Sequence, residues 1–340
     1  VTASTSSRPV GTDERRRSSS RIIGVRFLAR RLCIAPVILL GVSFLVFVTV
    51  DLSPNDPAMA KMGLFSDPES RARFAEENGL NDPLPVRFWR FLTELVHFRL
   101  GDSVAHSESV NTLIGMAFPV TLQLVVFATV IAVTVSLLIG TIAARSDGRM
   151  VDRTIGTAAA IMQASPPFWV GLLFIQVFAV ALGVLPSGGY VPMQQGFSYW
   201  FSSIIGPAVV LSLPFTAALT RVVRASMADE LAKDYVRTAI GAGVAWRVVI
   251  FRNVLRNALI TPITVIGVYV GALMSGAVLV EVVFNLPGMG TLLVTAVNNS
   301  DLGVVRGVAI VGATTFVVVN LVVDIVQMLL NPRSVEASNG

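Results

Sequence analysis

The sequence predicts an all-α membrane protein of six transmembrane helices with both termini on the cytoplasmic side. Three observations carry that expectation. The first is composition: 54% of the residues are hydrophobic and 14% charged, with a mean hydropathy of +0.72, against roughly 25% charged in a soluble domain. The second is the spacing of the charges. No Asp, Glu, Lys or Arg occurs between Ser109 and Ala144 or between Thr154 and Thr220, as a hydrocarbon layer demands, where a central charge costs about 2.5–3.5 kcal/mol on insertion scales. The third is the side on which arginines gather, taken up below.

A bilayer core of about 30 Å needs roughly 20 apolar helical residues. Six segments meet that length: Leu32 to Val50, Pro119 to Ala144, Thr154 to Leu182, Ser203 to Val223, Leu259 to Val280, and Gly307 to Leu330. Residues 1–25, rich in Ser, Thr and Arg, are expected to form a disordered cytoplasmic extension. Residues 26–333 then form one transmembrane domain, and residues 334–340 a short tail. A cleavable signal peptide competes at the N-terminus, since Ala58-Met59-Ala60 follows an apolar run. That run exceeds the 7–15 residues of a signal core, which favours a retained anchor. Cys33, the single cysteine, lies in this run and leaves no partner for a disulfide or a cysteine metal cluster within the chain.

The arginines settle sidedness as an expectation. They crowd the N-terminal flank up to Arg31, the second connection (Arg145, Arg149, Arg153) and the fourth (Arg221, Arg224, Arg237, Arg247, Arg252, Arg256). All three lie on one side of a six-span chain, which the positive-inside rule makes cytoplasmic. The opposite side receives the acidic segment 51–118, the uncharged link Gly183 to Ser202, and Glu281 to Arg306. Within 51–118, Val86 to Leu100 puts Phe88, Trp89, Leu92, Leu95 and Val96 on one helical face. This is either an interfacial helix or a helix packed on its own protein. His97 and His106 have no second ligand at metal spacing, so no metal site is expected. The net charge of +5 does not indicate nucleic acid, because the basic residues flank apolar spans and do not interleave with aromatics.

Three stretches break the pattern of plain spans. Ser165-Pro166-Pro167 removes backbone donors inside the third span and should kink or break it. A broken span either lines a cavity or is buried in protein, so the triplet is a pathway candidate or a structural kink. Between spans five and six, Pro287, Gly288 and Gly290 precede the apolar Leu292, Leu293 and Val294. That pattern suits a turn and a short helix dipping toward a pathway mouth, or a structural plug. Asp324 is an acidic residue deep in span six, with Asn320 one turn earlier. Its place near the cytoplasmic end favours a structural partner, such as an arginine of the fourth connection, over substrate binding.

The fourth connection, residues 226–258, is patterned as two helices around Gly241-Ala242-Gly243. Upstream, Leu231, Tyr235, Ala239 and Ile240 share a face; downstream, Val248, Phe251, Leu255 and Ala258 share another. This makes a compact knob or a plain amphipathic connector. The stretch DYVRTAIGAGV (234–244) followed by RNVLRNALITP (252–262) resembles the coupling loop of ABC importer permeases, in the subgroup serving oligopeptides, dipeptides, nickel and glutathione. ARRLCIAPVILLGVSFLVFVTVDLSPNDPA, NGLNDPLPVRFWRFL, LGDSV, SPPFWVGLLFI, GVLPSGGY, FNLPGMGTLLVTAV and LVVDIVQMLLNPR resemble further family segments in the same order, from Arg30 to Arg333. Arg237-Thr238-Ala239 stands where the loop's name expects Glu-Ala-Ala, as in the peptide subgroup, and Asn55 replaces a usual glycine.

The resemblance implies the type I importer permease fold in a bacterial cytoplasmic membrane. It implies coupling through Glu230, Asp234, Arg237, Thr238, Ala239, Gly241, Gly243 and Trp246, and pathway or gate candidates Ser165, Pro166, Pro167, Pro287, Gly288, Leu292 and Val294. The implied partners are a second homologous permease, two ATP-binding subunits, an extracytoplasmic binding protein and the bilayer. The sequence has no G-x-x-x-x-G-K-[ST] loop to cradle phosphates, so the chain is expected to hold no cofactor and no catalytic site. ATP and Mg would sit on the partner ATPases. The cargo would be di- or oligopeptides, with nickel chelates or glutathione as alternatives. A proton-coupled carrier is the reading from another class; it would favour midplane ionisable groups in repeated halves.

Overall fold

The computed structural model describes residues 12–52, 67–77, 79, 81–103, 105 and 108–330. Among them every regular element is helical, with one isolated bridge between Asp102 and Ser109. The first span lies in α1 (Thr12–Asp51). The helix takes in residues 12–25. Residues 1–11, 53–66 with the Ala58 to Ala60 triplet and Asn55, His106, and the tail 334–340 lie outside the described residues.

After the first span come α2 (Pro68–Glu77) and α3 (Leu84–Val96). The α3 helix packs on its own protein through Phe88, Phe91 and Leu95. The Phe47 ring sits 5.3 Å from Phe88 and 5.6 Å from Phe91, and Arg87 pairs with Asp51 at the end of α1. Trp89 and Val96 remain outward and exposed. The expected apolar face is thus divided, with Phe88 and Leu95 packed on the protein and Trp89 and Val96 turned outward.

The second span, α4 (Val110–Arg145), starts earlier than Pro119. Ser109 caps it, its Oγ accepting from the Thr112 amide at 3.2 Å, and Pro119 is carried inside the helix. The third apolar run is two helices, not one. After α5 (Met150–Ala164) the chain turns at Ser165 and Pro166 and restarts as α6 (Pro167–Phe174), which widens into a π-helix over Ile175–Ala181. The two halves meet at 105°. Pro166 and Pro167 cannot donate to the preceding turn, so the break falls where the sequence puts it, with a far larger angle than a kinked span has.

The fourth span, α7 (Phe197–Leu231), is the hub: 78% of its apolar window is buried, against 17% for the span in α1. Small residues make this possible. Ala208, Ser212, Thr216, Ala217 and Ala218 are buried along it, and on α4 a Cβ at Gly140 would lie 2.7 Å from Val223 Cγ1 and 3.0 Å from the Thr220 carbonyl. Helices in lipid associate through such close approach, since apolar side chains gain little by leaving lipid tails.

Two short helices follow α7. They are α8 (Asp234–Gly241) and a second, irregular one made of α9 (Trp246–Val248), a π-turn (Val249–Val254) and α10 (Leu255–Ala258). The fifth and sixth apolar runs are α11 (Ile260–Val283) and α13 (Leu302–Leu330), with the short apolar α12 (Met289–Asn298) between them. Among the described residues, five helices are long and apolar enough to cross a membrane, or six with the bent pair as one span. Asp324 on α13 pairs with Arg31 of α1 at 3.2 Å. Its partner is thus the arginine of the helix packed beside it and not one from the fourth connection.

Candidate functional site

Two assemblies stand out, one at each end of the bundle. At the arginine-rich end, the chain leaves α7, turns at Ala232 and Lys233, and forms α8. The helix stops in a glycine turn. Gly243 has φ +81°, its amide donates to the Ile240 carbonyl at 2.9 Å, and the Val244 amide donates to Ala239 at 3.1 Å. Only glycine takes that left-handed conformation without cost, which is why it ends helices so often.

Below the turn the knob is fastened to the bundle. Val236, Val249, Ile250, Val254 and Ala258 enter the main core with Met227 and Val223. The buried face of the second helix is therefore Val249, Ile250, Val254 and Ala258. Of the stripe that the 3.6-residue spacing predicts, Val248, Phe251, Leu255 and Ala258, Ala258 is buried and Leu255 packs partly buried against the core, whereas Val248 is exposed. The π-turn over Val249–Val254 inserts an extra residue per turn and rotates the stripe.

Glu230 is the polar fastener. It is buried, and its carboxylate accepts from Lys233 Nζ at 2.5 Å, Tyr235 Oη at 2.9 Å and Asn257 Nδ2 at 3.2 Å. One side chain thus joins the end of α7, the start of α8, and α10. The bond to Glu230 raises the Lys233 ammonium above its ordinary pKa, while burial, reinforced by Glu230, raises the Tyr235 phenol. Both groups stay protonated donors at neutral pH.

The tip itself is open. Asp234, Arg237, Thr238 and the run Ile240 to Val248 are exposed, with Ile240, Val244, Trp246 and Val248 making an apolar surface. No atom lies within 4 Å of a Cβ built at Gly241 or Gly243. Of the residues named for coupling, Asp234, Arg237, Thr238, Gly241 and Gly243 share this surface. Ala239 is half-buried, Glu230 faces inward as a brace, and Trp246 lies under the Arg145 guanidinium at 5.8 Å from its ring centre. A second brace was not foreseen: Arg224 of α7 donates to Asp152 at 2.8 and 2.7 Å and to Asp147 at 2.6 Å. It ties α7 to the turn between α4 and α5.

At the opposite end, the motif stretches of the sequence meet. The Gly189 amide of GVLPSGGY donates to the Phe284 carbonyl of FNLPGMG at 2.8 Å, and a Cβ at Gly188 would lie 2.5 Å from that oxygen. Asp301 is fully buried; it accepts from Ser103 Oγ of LGDSV at 2.5 Å and from the Ala105 amide at 3.2 Å. Glu281, near the C-terminal end of α11, is also fully buried and accepts from Thr121 Oγ1 at 2.6 Å and the Gly290 amide at 2.7 Å. Sequence reading left Glu281 in a loop, because four apolar residues around it gave no hint that a carboxylate there points inward.

The pathway candidates divide. Gly288 is buried in this layer, Pro287 and Val294 are exposed, and Leu292 is partly buried in a cluster with Val110, Met289 and Val304. Ser165 and Pro166 line an open cleft of about 500 Å³ with Ile161, Ala164, Phe168 and Trp169. Pro167 opens α6, whose Gly171 would place a Cβ 3.2 Å from Val283 and 3.5 Å from Phe284. The broken span and the outer layer are therefore adjacent at the end of α11.

The chain is matched over residues 136–336 by the model of a family described as binding-protein-dependent transport system inner membrane component, and over residues 24–137 by the N-terminal model of the same kind of protein. It is 35% identical over 307 residues to the "Probable peptide ABC transporter permease protein y4tP" of Sinorhizobium fredii, covering 90% of this chain and 98% of that one. It is 35% identical to the oligopeptide transport system permease protein AppB of Bacillus subtilis, again over 90% and 98%. It is 35% identical over 306 residues to the glutathione transport system permease protein GsiC of Pectobacterium atrosepticum, covering 90% of this chain and 97% of that one.

Proposed function

The chain belongs to the family of binding-protein-dependent transport system inner membrane components, and we propose that it is the translocation subunit of an ABC importer that carries di- or oligopeptides inward across that membrane. The observation that carries the mechanism is the knob. An exposed glycine-turned helix with an apolar tip is fastened by Glu230 and a buried stripe to the hub helix of the bundle. Such a projection suits a cleft on a separate ATPase, and a rigid fastening converts closure of that cleft into a tilt of α7 and α11. The reading assigns ATP and Mg to two ATP-binding partners and no catalytic step to this chain. A second homologous permease completes the pathway, and an extracytoplasmic binding protein delivers cargo to the outer layer.

Peptide cargo is supported by the names of relatives such as the oligopeptide permease of Bacillus subtilis. Glutathione is the second reading, since a glutathione permease is 35% identical as well. Proteoliposomes holding the whole complex decide between them: uptake of labelled di- to pentapeptides, driven by ATP and the cognate binding protein, is the expected result. Uptake of glutathione alone would replace the peptide reading with the second one.

The same reading puts the knob in the cytoplasm. With Cys33, which is exposed, changed to serine, an impermeant maleimide added outside cells should label Ser187→Cys and not Ala242→Cys, both exposed positions. Labelling of Ala242→Cys from outside would invert the topology.

A further inference from the structure

We propose that Glu281 is the positioning residue of the outer mouth: its carboxylate, together with the Thr121 hydroxyl, seats the first turn of α12 against α4 and α11 and so sets where cargo is received. This rests on the reading of the chain as an importer whose mouth includes α12. The geometry is specific. Thr121 Oγ1 donates to Glu281 Oε1 at 2.6 Å and itself accepts from the Met289 amide at 2.8 Å. Glu281 Oε2 accepts from the Gly290 amide at 2.7 Å and the Thr291 amide at 3.3 Å. Three of the amides that an α-helix leaves without intrahelical partners are thereby satisfied by two side chains from two other helices.

Every group facing this carboxylate among those bonds is a donor, so both of its oxygens are needed as acceptors. The approach is also sterically exclusive. A Cβ at Gly288 would lie 2.3 Å from the Glu281 carboxyl carbon, and one at Gly290 2.4 Å from the Val278 Cα. Glycine at these two places is what lets the chain run over the carboxylate closely enough to bond to it. Beside this contact, Thr121, Met289 and Gly290 line a cleft of about 320 Å³ with Ser275, Val278 and Leu293. The seat of α12 is thus also a wall of the cleft that opens among α4, α11 and α13.

On the far side of that seat α12 presents Val294 and Val297, both exposed, and beyond its other end the buried Asp301 accepts from Ser103 Oγ and from the Val304 amide at the start of α13. Glu281 therefore fixes the first turn of a short apolar helix whose free face looks away from the bundle. Burying a carboxylate costs several kcal/mol unless its acceptors are filled. A merely space-filling position would be met by an apolar residue at lower cost.

The test uses the complete complex with its ATPases and binding protein in proteoliposomes. Thr121→Val removes the hydroxyl at nearly constant shape, Thr121→Ser keeps it, and Glu281→Gln leaves one acceptor oxygen where two are used. With Thr121→Val and Glu281→Gln, cargo moved per ATP should fall about 10-fold, as the loss of one buried charge-assisted bond implies. Complex yield and basal ATP hydrolysis should hold. Outside labelling of Val294→Cys by impermeant maleimide should shift several-fold, and Thr121→Ser should behave as the parent in every readout.

Wild-type transport and labelling with Thr121→Val and Glu281→Gln would overturn the proposal. So would a fall of yield, basal hydrolysis and uptake in equal proportion, which marks a purely structural contact. If the parent complex imports no peptide while the labelling shift at Val294→Cys persists, the cargo reading fails and the seat of α12 stands.

Discussion

Gly243→Glu is expected to abolish the response of ATP hydrolysis to loaded binding protein while the permease still inserts and folds. Two costs combine. Gly243 has φ +81°, and a residue with a Cβ is penalised there by roughly 1–2 kcal/mol. The new carboxylate would also stand in the apolar surface of Ile240, Val244 and Trp246, where docking would strip it of water. Nothing in the chain itself is overfilled, since the space around Gly243 is open; the backbone strain acts on the free turn, and the stripping of the carboxylate acts only in the complex. About 1.4 kcal/mol corresponds to a tenfold loss of docking, and an unpaired carboxylate stripped of water costs more than that. Gly243→Asn is the control, because asparagine tolerates the left-handed turn and carries no charge. Stimulated hydrolysis measured in reconstituted complexes should be near normal for Gly243→Asn and absent for Gly243→Glu. Equal stimulation in both would leave the segment a connector.

The spans were legible because their signal is compositional: runs without charge, bounded by arginine or acid, survive any error in local geometry. Where the structure departs from the spacing, a local device explains it. The stripe of the second coupling helix was misplaced because Val249–Val254 is a π-turn, which a 3.6-residue period cannot register. The start of α4 was placed late because Phe118-Pro119 reads as a boundary, whereas the Ser109 cap lets the helix begin at Val110. The break at Ser165-Pro166 was visible; its 105° angle was not, since angle depends on what α6 packs against. Least legible were the buried acids. Glu281 closes an apolar run, while Asp301 and Glu230 follow polar neighbours, Ser300 and Asp229, and at each a solvated charge is the ordinary reading. Only the three-dimensional meeting of distant donors such as Thr121, Ser103 and Asn257 turns them into fasteners.

Glu230→Ala should separate rigidity of the knob from its ability to dock. Removing the carboxylate leaves Tyr235 Oη, half-buried, and Asn257 Nδ2, on an exposed residue, without the acceptor they share, at about 1 kcal/mol for each hydrogen bond lost. Lys233, largely exposed, can turn to water. The apolar tip and the glycine turn are untouched, so the ATPases should still assemble with the permease. What is lost is the tie between α7, α8 and α10 through which a tilt would pass. Hydrolysis should therefore continue while cargo moved per ATP falls by about tenfold or more, as expected when ~2 kcal/mol of fastening is removed. In the free permease, trypsin should cut sooner at Arg237 and Arg247, both exposed on the loosened knob, with the spans unaffected. The pH dependence follows the same bonds. The raised pKa values of Lys233 and Tyr235 mean that their contribution is fully present below their unfolded values near 10 and is lost as pH rises through the folded ones. Protection of the knob in the parent protein should thus be constant through neutral pH and decline in alkali, and that decline should be smaller in Glu230→Ala, where only burial still raises the Tyr235 phenol. Unaltered cleavage together with unaltered coupling in Glu230→Ala would show that the buried stripe of Val236, Val249, Ile250 and Val254 holds the knob without help from the carboxylate.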